Sequence, residues 1–171
     1  TWLMSRETMV NTFIDTASQQ DIAVIEGVMG LYDGGSKGIS STAEIARLLD
    51  APVVLVIDCK SMGASAAAIA LGFQQYDKAV RLAGVILNRL GSDNHQRMIE
   101  EAMARLHIPV LGAVRRNEVL VRPERHLGLL PVEENQERKV VDAMGEAMAR
   151  QLDLGAIMQI AHNAPPLDRV H

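Results

Sequence analysis

A single cysteine, Cys59, leaves the 171-residue chain no internal disulfide and no cysteine metal cluster. No histidine stands beside it to activate the thiol, so it reads as a small buried hydrophobe rather than a nucleophile. Aromatic residues make up only 3% of the sequence, too few for a base-stacking platform, and a net charge of −4 supplies no basic stripe. Nucleic acid is therefore not an expected partner. No basic-apolar-small leader opens the chain, and its longest apolar stretch, Met62 to Phe73, is shorter than a bilayer span and broken by glycine and serine. No membrane partner is expected, and the chain reads as cytoplasmic. Also missing are a zinc-spaced His or Cys pair, a Gly-x-Ser-x-Gly elbow, and a Gly-x-x-x-x-Gly-Lys-Ser/Thr phosphate loop; Gly34-Gly35-Ser36-Lys37-Gly38 has the wrong order for the last of these.

What is present is a core-forming sequence, 48% hydrophobic, with a recurring pattern. Four apolar runs, Ile22 to Glu26, Val53 to Asp58, Gly84 to Asn88 and Pro109 to Val114, alternate with helical spacers, as in βαβ crossovers building a parallel sheet. Ser41-Thr42-Ala43-Glu44 is a capping box that opens a short helix, ended by Asp50-Ala51-Pro52. Met62 to Tyr76 reads as a closely packed helix. Asp93 can cap a helix to Leu106 with Met98, Ile99, Ala102, Met103 and Leu106 inward, and Glu133 to Leu152 forms a long amphipathic one. Residues 115–130 read as irregular and polar, and residues 153–171 as a tail.

In an open parallel sheet, ligands bind beyond the carboxyl ends of the strands. Each run here ends on a polar group: Glu26, Asp58, Asn88 and Arg115. One sheet would set all four along a single edge. Glu26 enters a glycine-punctuated loop that carries a second carboxylate, Asp33, and one or two carboxylates suffice for a Mg²⁺ that shares phosphate oxygens. An ordinary strand-to-loop connection with solvated acids fits the same spacing. Asn88 offers a donor and an acceptor side by side, which can pair with the edge of adenine, although asparagine is also a common turn former. Arg115-Arg116 can hold phosphate or carboxylate, or stand as a solvated pair, and Arg122, Arg125 and His126 make a cationic patch facing an anionic partner.

Several of these segments, in this order, strongly resemble the cobyrinate a,c-diamide synthase family: Ile25-Glu26-Gly27-Val28-Met29-Gly30-Leu31-Tyr32-Asp33-Gly34, Ser41 to Ala46, Ala51 to Asp58, Gly84 to Arg89, and Pro123-Glu124-Arg125-His126-Leu127-Gly128-Leu129. The resemblance runs from about Trp2 to about Leu154. It implies a P-loop NTPase fold of the dethiobiotin-synthetase type, shortened at its N-terminus, with residues 1–152 a partial synthetase domain and 153–171 a linker or tail towards a glutaminase domain. It further implies a ligase of cobalamin biosynthesis that uses ATP and Mg²⁺ to amidate the a and c acetate carboxylates of a corrin through acyl phosphates, with ammonia made from glutamine by that glutaminase domain. On this resemblance Glu26 and Asp33 are catalytic, with Glu26 also a Mg²⁺ ligand. Asn88 and Arg115 contact ATP, and Tyr32, Arg125 and His126 line the tetrapyrrole cleft. The phosphate loop and the glutaminase nucleophile of the family lie outside residues 1–171, so the isolated chain is expected to be inactive. Cobyric acid synthase and the enzyme amidating nickel sirohydrochlorin are the alternatives within the same chemistry. A non-catalytic module of the same fold is the alternative outside it.

Overall fold

The computed structural model describes residues 3–36, 39–117 and 134–170, with the side chains of 134–138 excepted. The chain divides into two compact units, residues 1–54, 72–83 and 157–171 in the first and 55–71 and 84–156 in the second. The expected α/β class is borne out. A sheet of three strands, β1 (Val53–Asp58), β2 (Leu82–Leu90) and β3 (Val110–Arg115), has the order β1-β2-β3, and β2 runs parallel to β3. Strand, helix and strand alternate through α3 (Ser65–Tyr76) and α4 (Asp93–Ala104), the connection that parallel neighbours require.

The second unit owns the larger core. Val85, Leu87 and Leu90 from β2, Ile57 from β1, Ala66, Ala67 and Ala70 from α3, and Ile99 and Met103 from α4 close on one another with almost no exposure. Small residues on α3 bring that helix close to the sheet, as the run of alanines implies. Cys59 belongs here at 0% exposure; its thiol donates to the Ile57 carbonyl and burial pushes its pKa up. It is the inert hydrophobe expected. On α4, Ile99 and Met103 are buried as anticipated, whereas Met98 lies 45% exposed on the flank and does not join the inward stripe. The cap is Ser92, whose hydroxyl accepts the His95 N–H, one residue ahead of the Asp93 expected. The outer edge of β3 is closed by the chain after α5 (Glu134–Ala149): Ala113 N–H donates to the Gln151 carbonyl and Asp153 N–H to that of Leu111. Gly112 allows that approach, since a Cβ there would sit 2.3 Å from the Leu152 side chain. On α5 Val140 and Val141 are exposed, while Ala147 is buried.

In the first unit, α1 (Arg6–Ala17) starts at Ser5, whose hydroxyl accepts from Thr8 N–H, and α2 (Thr42–Leu48) starts at Ser41, which accepts from Glu44 N–H. The Ser41 half of the capping box is therefore formed, while the Glu44 carboxylate reaches one residue further back, accepting the Ser40 N–H at 2.6 Å, and pairs with Arg6 at 3.0 Å. Asp50, in the left-handed region at φ 44°, ends α2, with Ala51 N–H donating to the Ala46 carbonyl, the helix-ending pattern that glycine usually supplies.

Two expectations are corrected. Ile22 to Glu26 is not a strand: it makes no main-chain hydrogen bond among the described residues, and Val24 is 90% exposed. A strand exists only against a neighbour's backbone, and the described residues offer this run none. Residues 153–171 are not a bare tail, because α6 (Leu154–His162) forms there, with Asp153 accepting from Ala156 N–H at its start.

Candidate functional site

The sheet turns three of the four expected strand-end groups into real ones. At the end of β1 the Asp58 carboxylate accepts the Lys60 N–H at 2.9 Å and the Arg89 guanidinium at 2.7 Å. These partners, the backbone N–H before the guanidinium, hold its pKa below the usual carboxylate range. On β2 the register to β3 slips between Leu87 and Leu90. A bulge of that kind re-aims a side chain, and here it leaves Arg89 at φ 62° with its side chain crossing to Asp58. Asn88 stands just before it. Its carbonyl accepts the Cys59 N–H, tying β1 to β2 at their ends, while its Oδ1 accepts the Arg89 N–H. The amide NH₂ then remains as the group it can offer to a ligand.

Arg115 and Arg116 part company. Arg115 is the last residue of β3 and Arg116 the first beyond it. Arg115 reaches Asp93 and, at 2.9 Å, Gln96, while its backbone N–H donates to the Gln151 side chain. It thereby lines a cavity of about 840 Å³ against Glu100, Arg150 and Gln151, at the outer edge of β3, a mixed-charge surface. Arg116 instead lines a second cavity, of about 450 Å³, together with Arg89, Ser61, Met62, Asn94 and Met98. His95 braces this second cavity: Gly91 N–H donates to its Nδ1, so the ring proton sits on Nε2 and donates to the Met62 carbonyl. Ser61, like Arg89, adopts a left-handed backbone, φ 60°. The signal for this cavity in the sequence was the adjacent Arg115-Arg116 pair at the end of an apolar run. His95, three residues after its cap, carried no comparable signal.

The carboxylate loop belongs to the first unit. Glu26 is exposed and has no side-chain partner among the described residues. It is therefore open to a cation, not locked against an internal arginine. The loop after it is shaped by contacts: a Cβ on Gly34 would meet the Ile39 carbonyl oxygen at 2.8 Å and the Ser41 nitrogen at 2.9 Å, so this turn needs glycine for close approach. Asp33 N–H donates to the Gly30 carbonyl and its carboxylate folds back over Gly30. Tyr32 has a packing role: its hydroxyl donates to the Phe73 carbonyl at 2.7 Å, its ring stacks on Phe73 with centroids 5.7 Å apart, and burial, ahead of the nearby Asp77, raises its pKa. With that hydroxyl engaged, the role expected of Tyr32 at a substrate reduces to the rest of its ring. Arg122, Arg125 and His126 lie outside the described residues.

Comparison with known proteins follows the same lines. The family described as AAA domain matches residues 4–124. A hydrogenobyrinate a,c-diamide synthase of Thermobifida fusca is 51% identical over 86% of this chain and 32% of its own length. A cobyrinate a,c-diamide synthase of Dehalococcoides mccartyi is 44% identical over 97% of this chain and 37% of its own. For a hydrogenobyrinate a,c-diamide synthase of Streptomyces coelicolor the figures are 45%, 97% and 35%. The chain thus spans about a third of the length of the curated relatives it matches. No solved structure matches it. The resemblance read from the sequence, and the α/β fold of P-loop type, are borne out.

Proposed function

We propose that this chain, which belongs to the AAA domain family, is part of an ATP-dependent ligase that converts the a and c acetate carboxylates of cobyrinate or hydrogenobyrinate to amides. The observation that carries the reading is the carboxyl-end edge of the sheet, where Asn88 and the Asp58–Arg89 pair stand and where Arg89 and Arg116 line a cavity of about 450 Å³, in a chain with the relatives just described. Ligands of α/β sheets bind at that edge.

A carboxylate is a poor electrophile because its negative charge is delocalised over both oxygens. In the proposed reaction its oxygen attacks the γ-phosphorus of ATP and ADP leaves. Ammonia then attacks the acyl carbon of the resulting acyl phosphate, a proton is lost, and inorganic phosphate departs. Such transfer needs positioning and charge neutralisation more than covalent help from the protein. Asn88 is assigned to the adenine edge, with its NH₂ as donor because Oδ1 already accepts from Arg89. Glu26 and Asp33 are assigned to the carboxylate loop at the reacting end.

The donor chemistry of that loop fits Mg²⁺ in a particular way. Among the described residues no group of three or more His, Cys, Asp or Glu could cage a metal ion. The exposed Glu26 carboxylate, with Asp33 second, suits a cation that completes its shell with phosphate oxygens and water. When bound, Mg²⁺ supplies charge neutralisation on the phosphates. The phosphate cradle and the glutamine-hydrolysing centre are assigned to polypeptide outside residues 1–171, in keeping with relatives about three times as long. Arg125 and His126 are assigned, on sequence alone, to the tetrapyrrole cleft. Among the described residues no helix is long and apolar enough to cross a membrane.

The test is an assay of the full-length protein with ATP, Mg²⁺, glutamine and cobyrinic acid, and with nickel sirohydrochlorin in a parallel reaction. ADP release dependent on the tetrapyrrole, with amide formation at two carboxylates, is expected. ADP release indifferent to either tetrapyrrole, or no amide in either reaction, would overturn the proposal. In the same protein Asn88→Ala should weaken nucleotide binding and blur discrimination of ATP from GTP.

A further inference from the structure

We propose that the cavity at the carboxyl ends of the strands is an oxyanion subsite in which Arg116, with Arg89 beside it, holds a phosphate or carboxylate group of a larger ligand. The site stands on its own geometry; only the choice between the two oxyanions rests on the function proposed above.

Its charge is the first reason. The 171-residue chain is acidic at −4, yet among the described residues the lining of this cavity contains two guanidinium groups and no carboxylate. Arg89 is partly compensated by Asp58 through one N–H, which leaves other donors of its fork uncommitted. Arg116 has no ion pair among the described residues, and its backbone is fixed at the sheet edge by donating to the Leu90 carbonyl at 3.1 Å. A guanidinium so placed presents paired N–H donors that match the two oxygens of a carboxylate or phosphate. A cationic or purely apolar occupant would leave the pair uncompensated.

Size and lining supply the second reason. About 450 Å³ exceeds what a bare anion fills and falls in the range of small-ligand sites. Met62 and Met98 give the cavity an apolar side, and Asn94 adds an uncharged polar group. The occupant is therefore an anionic group attached to an apolar or aromatic body. The walls are braced for it: the Met62 carbonyl accepts from His95 Nε2–H and the Ser92 hydroxyl oxygen from His95 N–H, which leaves the Ser92 O–H as a further donor. Two non-glycine residues held in left-handed conformations, Ser61 and Arg89, line the same space. Such backbone conformations cost energy and collect at binding sites.

Calorimetric titration of the full-length protein with pyrophosphate, ADP, adenosine and tricarballylate tests the assignment in wild type, Arg116→Ala and Arg116→Lys. Arg116→Ala should weaken the anion it serves roughly ten- to hundredfold, the size of a charge-assisted hydrogen-bond loss. Arg116→Lys should fall between, and adenosine should bind all three alike. Losses confined to pyrophosphate and ADP make the native group a nucleotide phosphate; losses confined to tricarballylate make it an acceptor carboxylate; a loss on both supports a subsite that does not discriminate. Wild-type affinities for every anion in Arg116→Ala, or no anion bound by wild type, would overturn the subsite. Failure of ADP and adenosine to bind while pyrophosphate or tricarballylate still responds to Arg116 would count against the nucleotide reading alone.

Discussion

Two stretches with the same sequence grammar meet different fates. Val53 to Asp58 and Ile22 to Glu26 are both apolar runs that end on a carboxylate, and the period of side chains along them cannot tell them apart. The first is a strand, bonded to β2 and with Ile57 buried. The second has no strand partner among the described residues and is exposed, with Val24 at 90%. Being a strand is a property of a pair of segments. The sequence of one segment records a tendency, and the neighbour decides whether its N–H and C=O groups are met. The functional consequence differs in kind as well. At the sheet the polar groups bond to one another, the Asp58 carboxylate to the Arg89 guanidinium and the Asn88 Oδ1 to the Arg89 N–H, whereas Glu26 has no side-chain partner among the described residues.

The comparison breaks most sharply under large-to-small substitution. Leu87→Ala empties a position at 0% exposure and should cost about 2–5 kcal/mol in chemical denaturation, against a change within about 0.5 kcal/mol for Val24→Ala. Equal effects would mean that the Ile22 to Glu26 run is as well packed as the sheet. Next in size is Gly34→Ala, which drives a methyl group into the Ile39 and Ser41 backbone and should cost roughly 1–3 kcal/mol. An unchanged melting temperature would show that the carboxylate loop can shift without loss.

Smaller still is a pH effect confined to the sheet. The folded pKa of Asp58 lies below its unfolded value of about 3.9, so its contribution is present above that value and is lost as pH falls through the folded one. Because the pair is exposed the effect is small, and Asp58→Asn should flatten the stability profile below about pH 4 without altering it near neutrality. An identical acid limb in wild type and Asp58→Asn would remove this pair from the account.

Local chemistry was the legible part of the sequence. The Ser41 cap, the strands at 53–58 and 110–115, the α4 helix and the inertness of Cys59 follow from caps, periodicity and burial tendency. What depended on a distant partner was not legible. Ile22 to Glu26 lacked its neighbour. Met98 and Val141 stay partly exposed, at 45% and 56%, on the flanks of their helices. The helix at 154–162 hid behind a proline-containing tail, although Asp153 is a standard cap. In the site, Asn88 and Asp58 were placed at strand ends by pattern alone. The bulge that brings Arg89 to Asp58 depends on the register between β2 and β3, which single-strand sequence does not encode.

The most direct test is Glu26→Gln in the full-length protein, read as corrin-dependent ADP release alongside ATP affinity. The substitution keeps the shape of an exposed side chain and removes its charge. Turnover should fall roughly a hundredfold or more, as when one electrostatic contact to a transition state is lost, with ATP binding nearly unchanged. Turnover equal to wild type would contradict the placement of Glu26 at the reacting end and the function proposed from it.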